Sequence, residues 1–366
     1  HTELPALTER ITPDEPGNDR ALIILFIKSK IEHLKTILAT VVVILTATSF
    51  GFAQNLSKRN IISLNGSWQI AEGRKDAIPK SFDHSVQVPG LVSLATPAFV
   101  NVGPKVNERR SISQSDPLRE AFWYRRTFTV QGSVPAIATI KVAKAMFGTR
   151  VFLNGVDLGE HLPCFTPGFF NAKAALKEGS NEILIRVGSS RDAVPLSIPN
   201  GFDFEKEHYI PGILDDVQLI LSGTPHILLV QTIPDIINKK VRVQINLENS
   251  GDARTSDITF TVKEAKSGKV VGVLEKQVNL SGSGKDLFLV GIPIKNCRFW
   301  SPEDPFLYSL DVTTEADEFK TRFGMREFHF DPLTKKAVLN GKPYFMRGSN
   351  ITLYRFFEDE SCKALP

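Results

Sequence analysis

One stretch of the sequence combines acidic and aromatic side chains in a pattern suited to binding polyhydroxylated molecules. The stretch spans residues 200–216 (NGFDFEKEHYIPGILDD), and its acidic and aromatic members interleave: Phe202, Asp203, Phe204, Glu205, Glu207, His208 and Tyr209. Aromatic rings offer flat faces to sugar rings, and carboxylates accept hydrogen bonds from hydroxyl groups. A solvated loop between two strands has a similar composition, so the stretch by itself leaves both interpretations open.

Other common catalytic signatures are missing from the sequence. H-E-x-x-H and G-x-S-x-G do not occur, and SGSGKD at 281–286 lacks the hydroxyl residue that follows lysine in a phosphate loop, so we interpret it as a hairpin turn. His161 and His208 could each touch a ligand, although a lone histidine is more often a surface residue. The cysteines are widely spaced and odd in number, which favours neither a zinc site nor a disulfide framework: Cys164, Cys297 and Cys362.

Charge and length limit the class of protein. The 366 residues include 44 basic and 40 acidic ones, for a formal net charge of +4, and no basic block stands out. A nucleic-acid partner is therefore not expected. The length allows two or three domains at roughly 100–200 residues each.

The segment 36–53 (TILATVVVILTATSFGFA) is uncharged and follows three lysines within residues 28–35. Small residues precede Gln54, as at a signal-peptide cleavage site. We therefore expect an exported protein, periplasmic or extracellular, with no membrane association after cleavage. The alternative is a single transmembrane anchor, since an uncharged run of this length could just span a bilayer.

After Gln54 the chain has the pattern of a mainly β protein. Residues 121–130 are rich in aromatic and β-branched side chains, and apolar and polar residues alternate in 181–187 and 215–223. Within 138–161, Asn-Gly in LNG at 153–155 lies between apolar alternations and is a strong hairpin signal. Beyond about residue 226, seven or so strands follow within about a hundred residues, which is typical of an immunoglobulin-like sandwich. A second LNG at 339–341 and a third at 64–66 are also expected to be turns.

Six segments in order resemble glycoside hydrolase family 2, which includes β-galactosidases, β-glucuronidases and β-mannosidases: WYRRTFTV, VFLNGVDLGEH, PGILDDVQLI, RFWSPEDPFLYSLDV, FGMREFHFD and VLNGKPYFMRGSN. The resemblance implies a mainly β fold, a jelly-roll sugar-binding β-sandwich followed by an immunoglobulin-like β-sandwich and then the truncated start of a TIM barrel. The implied divisions are an upstream extension with signal peptide at 1–54, the jelly roll at 55–225, the immunoglobulin-like sandwich at 226–328 and the first strand region of the barrel at 329–366.

The resemblance also implies a chemistry and its limits. Family members resemble retaining glycosidases, in which two carboxylates about 5–5.5 Å apart act as acid/base and nucleophile. Both are glutamates on later barrel strands in the family, and a barrel needs about 250 residues. We therefore expect this chain to be the N-terminal portion of such an enzyme, with no catalytic residue of its own and no activity alone. The alternative is a non-catalytic carbohydrate-binding or adhesin-like module of two sandwiches.

Carried over residue by residue, the resemblance gives candidates for binding a β-glycoside or oligosaccharide. In the family, the loop before the G-I-x-x-D-V strand reaches the mouth of the active site, which gives Asp203, Glu205 and Glu207 as candidates in this sequence. The first barrel strand of the family ends in Arg-Gly-x-Asn, which gives Asn350 and, shortly after it, Arg355. In the family, a basic or histidine-containing segment commonly follows that strand. In this sequence ITLYRFFED follows it, so either Arg355 takes the role of that segment or the substrate differs. Arg347 is expected to serve packing. No cofactor or metal is assigned to this chain, and an Mg²⁺ or Na⁺ ion would belong to the intact enzyme.

Overall fold

The computed structural model of the protein describes residues 58–102, 119–201 and 209–349. All of them belong to one compact unit, residues 57–366, and the other unit, residues 1–56, lies outside the described residues. The signal segment at 36–53 and the upstream extension therefore stay predictions. No helix in the described part of the chain is long and apolar enough to cross a membrane.

The first group of strands precedes Gly223. Within the described residues it comprises β1 (Arg59–Ser63), β2 (Gly66–Gly73), β3 (His84–Val88), β4 (Gly90–Leu91), β5 (Ala121–Val130), β6 (Ile137–Val142), β7 (Ala145–Met146), β8 (Thr149–Leu153), β9 (Val156–His161), β10 (Gly168–Asn171), β11 (Gly179–Gly188), β12 (Gly212–Ile213) and β13 (Val217–Ser222). Two single turns of 3₁₀ helix, Val92–Leu94 and Arg191–Ala193, lie between strands.

These strands form two large antiparallel sheets that pack face to face. One has the order β1-β13-β6-β10 and the other the order β3-β2-β5-β11-β8-β9, while β4, β12 and β7 form a small third sheet. Alternate residues of both large sheets point into one shared core, which includes Trp68 and Tyr124 from the six-stranded sheet and Ile140 and Leu219 from the four-stranded one. The predicted first sandwich is thus present, and its assignment as a jelly roll stays a prediction.

The three LNG tripeptides do not all make the same structure. At Asn154–Gly155 and at Asn340–Gly341 both turn residues have positive φ, and the flanking strands pair as hairpins, as predicted. The tripeptide at 64–66 instead carries the chain from β1 in one sheet to β2 in the other. The Asn65 amide explains the difference, because its Nδ2 donates to Asp216 Oδ1 (2.7 Å) and its Oδ1 accepts from Val217 N (3.0 Å).

A second group of strands forms the second sandwich. In the described residues 226–323 these are β14 (His226–Asp235), β15 (Lys240–Asn249), β16 (Arg254–Glu264), β17 (Val270–Leu280), β18 (Gly284–Pro293), β19 (Tyr308–Thr313) and β20 (Glu318–Phe323). They pair as β14-β15-β18 and β17-β16-β19-β20 around a separate core that contains Val243, Phe260, Tyr308 and Leu310. The expectation of a mainly β fold with a second sandwich of about seven strands is confirmed.

A buried charged cluster joins the two sandwiches. Asp317, whose side chain is 0% exposed, accepts from Arg59 Nε (2.8 Å), Arg59 Nη2 (2.5 Å) and the Ile227 amide (2.6 Å). His226 Nδ1 lies 2.9 Å from Asp317 Oδ2 and 2.8 Å from Ser222 Oγ. Burial acts to raise the pKa of Asp317, but hydrogen bonds from Arg59 and His226 outweigh it and hold that pKa below its ordinary value.

A small hairpin sheet ends the described residues. Its strands are β21 (Phe328–Phe330), β22 (Ala337–Leu339) and β23 (Lys342–Pro343), and Asn340 Nδ2 ties it to the second sandwich by donating to the Trp300 carbonyl (2.9 Å). The first barrel strand predicted within this region is not formed at 344–349, where the chain has no regular structure. No neighbouring strand among the described residues pairs with 344–349, so the barrel start stays a prediction.

Candidate functional site

The five predicted site residues all lie outside the described residues. Asp203, Glu205 and Glu207 belong to 202–208, and Asn350 and Arg355 to 350–366. The structure therefore neither brings these side chains together nor separates them. It does describe the framework on both sides of the acidic loop, and that framework determines where the loop leaves and re-enters the first sandwich.

The two ends of the acidic loop are anchored on a small apolar cluster. Its buried members are Met146, Phe147, Cys164, Val194 and Tyr209. Tyr209 closes the loop on its C-terminal side, and the Arg191 guanidinium lies 5.2 Å from the centre of its ring. Gly201 opens the loop on the other side with a φ of 76°.

An exposed aromatic ring lies beside the start of this loop. Phe165 is 46% exposed, and its Cζ is 3.0 Å from the position that a Cβ on Gly201 would occupy. A ring so placed could offer a face to a sugar held by the loop. Sequence reasoning missed Phe165, because it lies more than thirty residues before the loop in CFTPGFF and no local pattern connects the two.

The loop returns through a strand that requires glycine. Gly212 and Ile213 form β12, which pairs with β4 on one side and β7 on the other. A Cβ built on Gly212 would lie 2.3 Å from the Gly90 carbonyl oxygen and 3.0 Å from Leu91 Cα, both of them main-chain atoms. The close approach of β4 to β12 therefore leaves no room for a side chain.

We expect Gly212→Ala to destabilise the protein by about 1–3 kcal/mol, since neither clashing main-chain atom can move without breaking the pairing of β4 with β12. The midpoint of urea unfolding measures the effect. Gly251→Ala is the matched control, because a Cβ there would have nothing within 4 Å, and it should shift stability by no more than about 0.5 kcal/mol. Equal stability of the two variants would contradict this account of the loop base.

Two nearby polar groups that could seem free for binding have structural partners. Asp216 accepts from the Asn65 amide, and its carbonyl accepts from the Ala143 amide (2.9 Å). His161 Nε2 lies 3.0 Å from the Thr166 carbonyl oxygen and 3.1 Å from its hydroxyl. The carboxylate of Asp216 and the ring of His161 thus hold turns of the sandwich in place.

The described residues form no cluster of common metal-ligating side chains. Within the described ranges, no three His, Cys, Asp or Glu side chains come together in a way that could hold a metal ion. Cys164 and Cys297 are free thiols, and burial raises the pKa of each.

The chain is similar in sequence to a known protein family and to several known proteins. Residues 226–326 match the family model of the glycosyl hydrolases family 2. The chain is 27% identical to a β-galactosidase of Priestia megaterium, over 79% of this chain and 30% of that protein. It is 26% identical to a β-galactosidase of Thermoanaerobacter pseudethanolicus, over 80% of this chain and 38% of that protein. The chain spans about a third of the length of these curated relatives.

Solved structures share the fold. A β-glucuronidase from Bacteroides uniformis superposes with a TM-score of 0.60 at 23% identity, over 79% of this chain and 35% of that one. A glycoside hydrolase family 2 β-galacturonidase from Eisenbergiella tayi, solved with galacturonate, gives 0.60 at 19% identity, over 78% of this chain and 46% of that one. The family match over the second sandwich and the relatives that align with both sandwiches show that the chain is similar to proteins of the glycosyl hydrolases family 2.

Proposed function

We propose that the chain is the N-terminal portion of an exported retaining glycoside hydrolase that removes terminal β-linked sugars. The observation that carries this proposal is the set of β-galactosidase relatives, which align with about four fifths of this chain and extend well beyond it. In the proposal, the carboxylate pair comes from the part of the relatives' length that this chain does not span.

The chemistry of the proposed enzyme follows from the family's reaction type. Retaining glycosidases hold two carboxyl groups about 5–5.5 Å apart, one as acid/base and one as the nucleophile that forms a glycosyl-enzyme intermediate. The residues of this chain would bind and orient the sugar rather than react with it. Asp203, Glu205 and Glu207 would accept hydrogen bonds from sugar hydroxyls, while Tyr209 and β12 hold the loop base fixed.

The names of the relatives narrow the proposed substrate to a class of sugar. Relatives of this chain are named as β-galactosidases and as putative β-glucuronidases. These two sugars differ in the configuration of the C4 hydroxyl and at the sixth carbon, which is a hydroxymethyl group in galactose and a carboxylate in glucuronic acid. Asn350 and Arg355 are the proposed contacts that would help to distinguish them, since an arginine pairs strongly with a carboxylate.

The complete gene product, assayed on nitrophenyl β-galactoside, β-glucuronide and β-mannoside, tests the proposed reaction. We expect hydrolysis of at least one of them, with the β-anomer as the first product seen by NMR. Release of the α-anomer would contradict the retaining mechanism. Binding of sugar without hydrolysis of any substrate would instead favour the carbohydrate-binding module.

We expect Glu205→Gln in that complete enzyme to raise KM by about tenfold, because a charged acceptor for sugar hydroxyls is lost. Steady-state kinetics on the preferred substrate gives the value. Glu178→Gln is the matched control, since Glu178 is exposed on the same sandwich before β11. If KM is the same in both variants, the proposed binding role of Glu205 is wrong.

A further inference from the structure

The outer face of the three-stranded sheet in the second sandwich carries a group of exposed leucines. Leu229 of β14 is 45% exposed, and Leu287 and Leu289 of β18 are 60% and 53% exposed. Two outward-facing amides of the central strand β15 lie among them. Gln244 is opposite Leu289, and Asn246 lies between Leu229 and Leu287. We call these five residues the leucine face, since contiguous apolar side chains on a flat surface mark an interaction site.

The outer face of the other sheet in the same sandwich has the composition of a surface that meets water. On that four-stranded sheet, Asp311 Oδ2 lies 2.6 Å from Lys263 Nζ, and Asp311 Oδ1 lies 3.5 Å from Lys320 Nζ. Gln277 Nε2 donates to Asp257 Oδ1 (3.1 Å). The two faces belong to one domain and differ in this way, so exposure to solvent does not account for the leucines.

The amide of Asn246 lacks a hydrogen-bond partner on the leucine face. Its Oδ1 is shielded from solvent and accepts no hydrogen bond from any described residue. A buried acceptor without a donor costs free energy, so a partner is expected for it. The terminal torsion of asparagine is broad and roughly two-fold, so a half-turn would bring the oxygen outward to a donor arriving on this face. Asn246 therefore indicates that the occupant brings a polar group as well as apolar ones.

The charges of β15 favour a second copy of the chain as that occupant. Arg242 and Glu248 point outward at opposite ends of the leucine face, about 20 Å apart along the strand. Neither side chain forms an ion pair within the described ranges. A two-fold axis that crosses the strands between two stacked copies would reverse each strand over itself. Arg242 of one copy would then lie opposite Glu248 of the partner subunit, and Gln244 opposite Asn246 of the partner subunit.

The flanking strand is compatible with the same two-fold arrangement. Leu287 would lie opposite Leu289 of the partner subunit, and the exposed Lys285 would lie opposite a residue without a side chain, Gly291. Stacked sheets lie about 10 Å apart, a distance that leucines from both sides can fill. Three strands of seven residues outline a face of about 14 by 23 Å. This is well below the roughly 800 Å² that each partner buries in a standard interface, so the dimer should be weak.

We propose that the leucine face pairs with the leucine face of a second copy of this chain, about a two-fold axis that crosses β15 between residues 244 and 246. Leucines of both copies fill the centre, and Arg242 and Glu248 of each copy pair with their counterparts at the two ends. This pairing does not depend on hydrolysis of any sugar, so it stands whether or not the enzymatic proposal holds.

Sedimentation equilibrium of the full chain, from about 5 to 300 μM, tests the proposal. We expect a reversible monomer–dimer equilibrium with a dissociation constant on the order of 10–100 μM, because the face is small. Leu289→Lys should weaken the dimer at least about tenfold, because it sets a charge against Leu287 of the partner subunit. Val273→Lys is the matched control, since Val273 is 54% exposed on the outer face of the other sheet. It should leave the dissociation constant within about twofold.

Charge reversal tests the two-fold arrangement itself. Arg242→Glu and Glu248→Arg should each weaken the dimer about tenfold, because each sets like charges against each other across the axis. The variant with both substitutions should restore the affinity, since opposite charges then meet again. Thermal unfolding shows that each variant remains folded, and Leu289→Lys should do so because its side chain is exposed.

Three results would overturn the proposal. A monomer at every concentration would leave the leucine face to a different polypeptide. Equal association of the Leu289→Lys and Val273→Lys variants would show that the copies meet through another surface. Failure of the folded double variant to restore the dimer would show that Arg242 and Glu248 do not meet across a two-fold axis.

Discussion

Replacing Asp317 with alanine lowers the free energy of unfolding by about 3–5 kcal/mol, the largest stability effect we expect from one substitution in this chain. Asp317 is fully buried and accepts two hydrogen bonds from Arg59, whose side chain is only 10% exposed. Without the carboxylate, the Arg59 guanidinium would lose two charged hydrogen bonds while it stays largely shielded from solvent between the two sandwiches. Urea unfolding followed by tryptophan fluorescence measures the loss.

The Arg298–Asp304 ion pair supplies the control for this prediction. Its two oxygen contacts have good geometry, at 2.6 and 2.7 Å, but both side chains are well exposed. Asp304→Ala should therefore change stability little, because solvent screens an exposed pair. A loss in Asp317→Ala no greater than in Asp304→Ala would show that the buried cluster does not hold the sandwiches together.

The contribution of Asp317 also depends on pH with a definite sign. Its pKa in the folded protein lies below the ordinary value, so the carboxylate stabilises the fold fully above the unfolded value of about 3.9. That stabilisation is lost as the pH falls through the folded pKa. The stability difference between the native chain and Asp317→Asn should therefore shrink as the pH falls below about 4. A difference that grows on acidification would contradict the assignment.

The 366-residue chain by itself should not hydrolyse any nitrophenyl β-glycoside above the buffer rate. Enzymes commonly accelerate such reactions by factors of at least about 10⁶, and in the proposed enzyme the acid/base and nucleophilic carboxylates lie outside this chain. A chain that lacks both carboxylates should lose that acceleration. A discontinuous assay over days, with galactoside, glucuronide and mannoside substrates, sets the limit.

A trace of host glycosidase is the main source of error in that assay. A mock preparation from the same host without the gene, taken through the same columns, gives the background. Turnover that exceeds this background and follows the chain through each column would contradict the proposal that the carboxylates lie elsewhere.

Strand alternation and Asn-Gly turns made most of the fold predictable from the sequence. These signals are local: the positive φ values of Asn154 and Gly155 follow from the residues themselves. The tripeptide at 64–66 shows where such reasoning fails. Its path between sheets depends on Asn65 bonding to Asp216 and Val217, about 150 residues later, and no neighbouring residue signals that contact.

Only the amino-acid composition of the candidate site was predictable from the sequence. The interleaved acidic and aromatic residues at 202–209 are compatible with a sugar-binding loop or a solvated loop, and nothing local showed that Gly212 must lie against Gly90. Such features arise when strands distant in sequence become neighbours, so they become visible only in the folded structure.

The same holds for the cluster that joins the sandwiches. Asp317 follows Glu315 and Ala316 in a polar stretch that has the composition of an ordinary turn, and His226 follows a proline at the start of β14. Their pairing with Arg59 brings together residues about 167 and 258 positions apart. Hydrophobic periodicity carries no information about buried polar contacts of that kind.

The DNA that follows the codon for Pro366, read in all three frames, tests the central claim most directly. The account predicts about 250 or more further codons with alternating strand and helix patterns, an Asn-Glu pair about a hundred residues on and a later glutamate, as a barrel that carries two catalytic carboxylates requires. A stop codon followed by unrelated sequence in every frame would contradict it, and the protein would then be a sugar-binding module of two sandwiches.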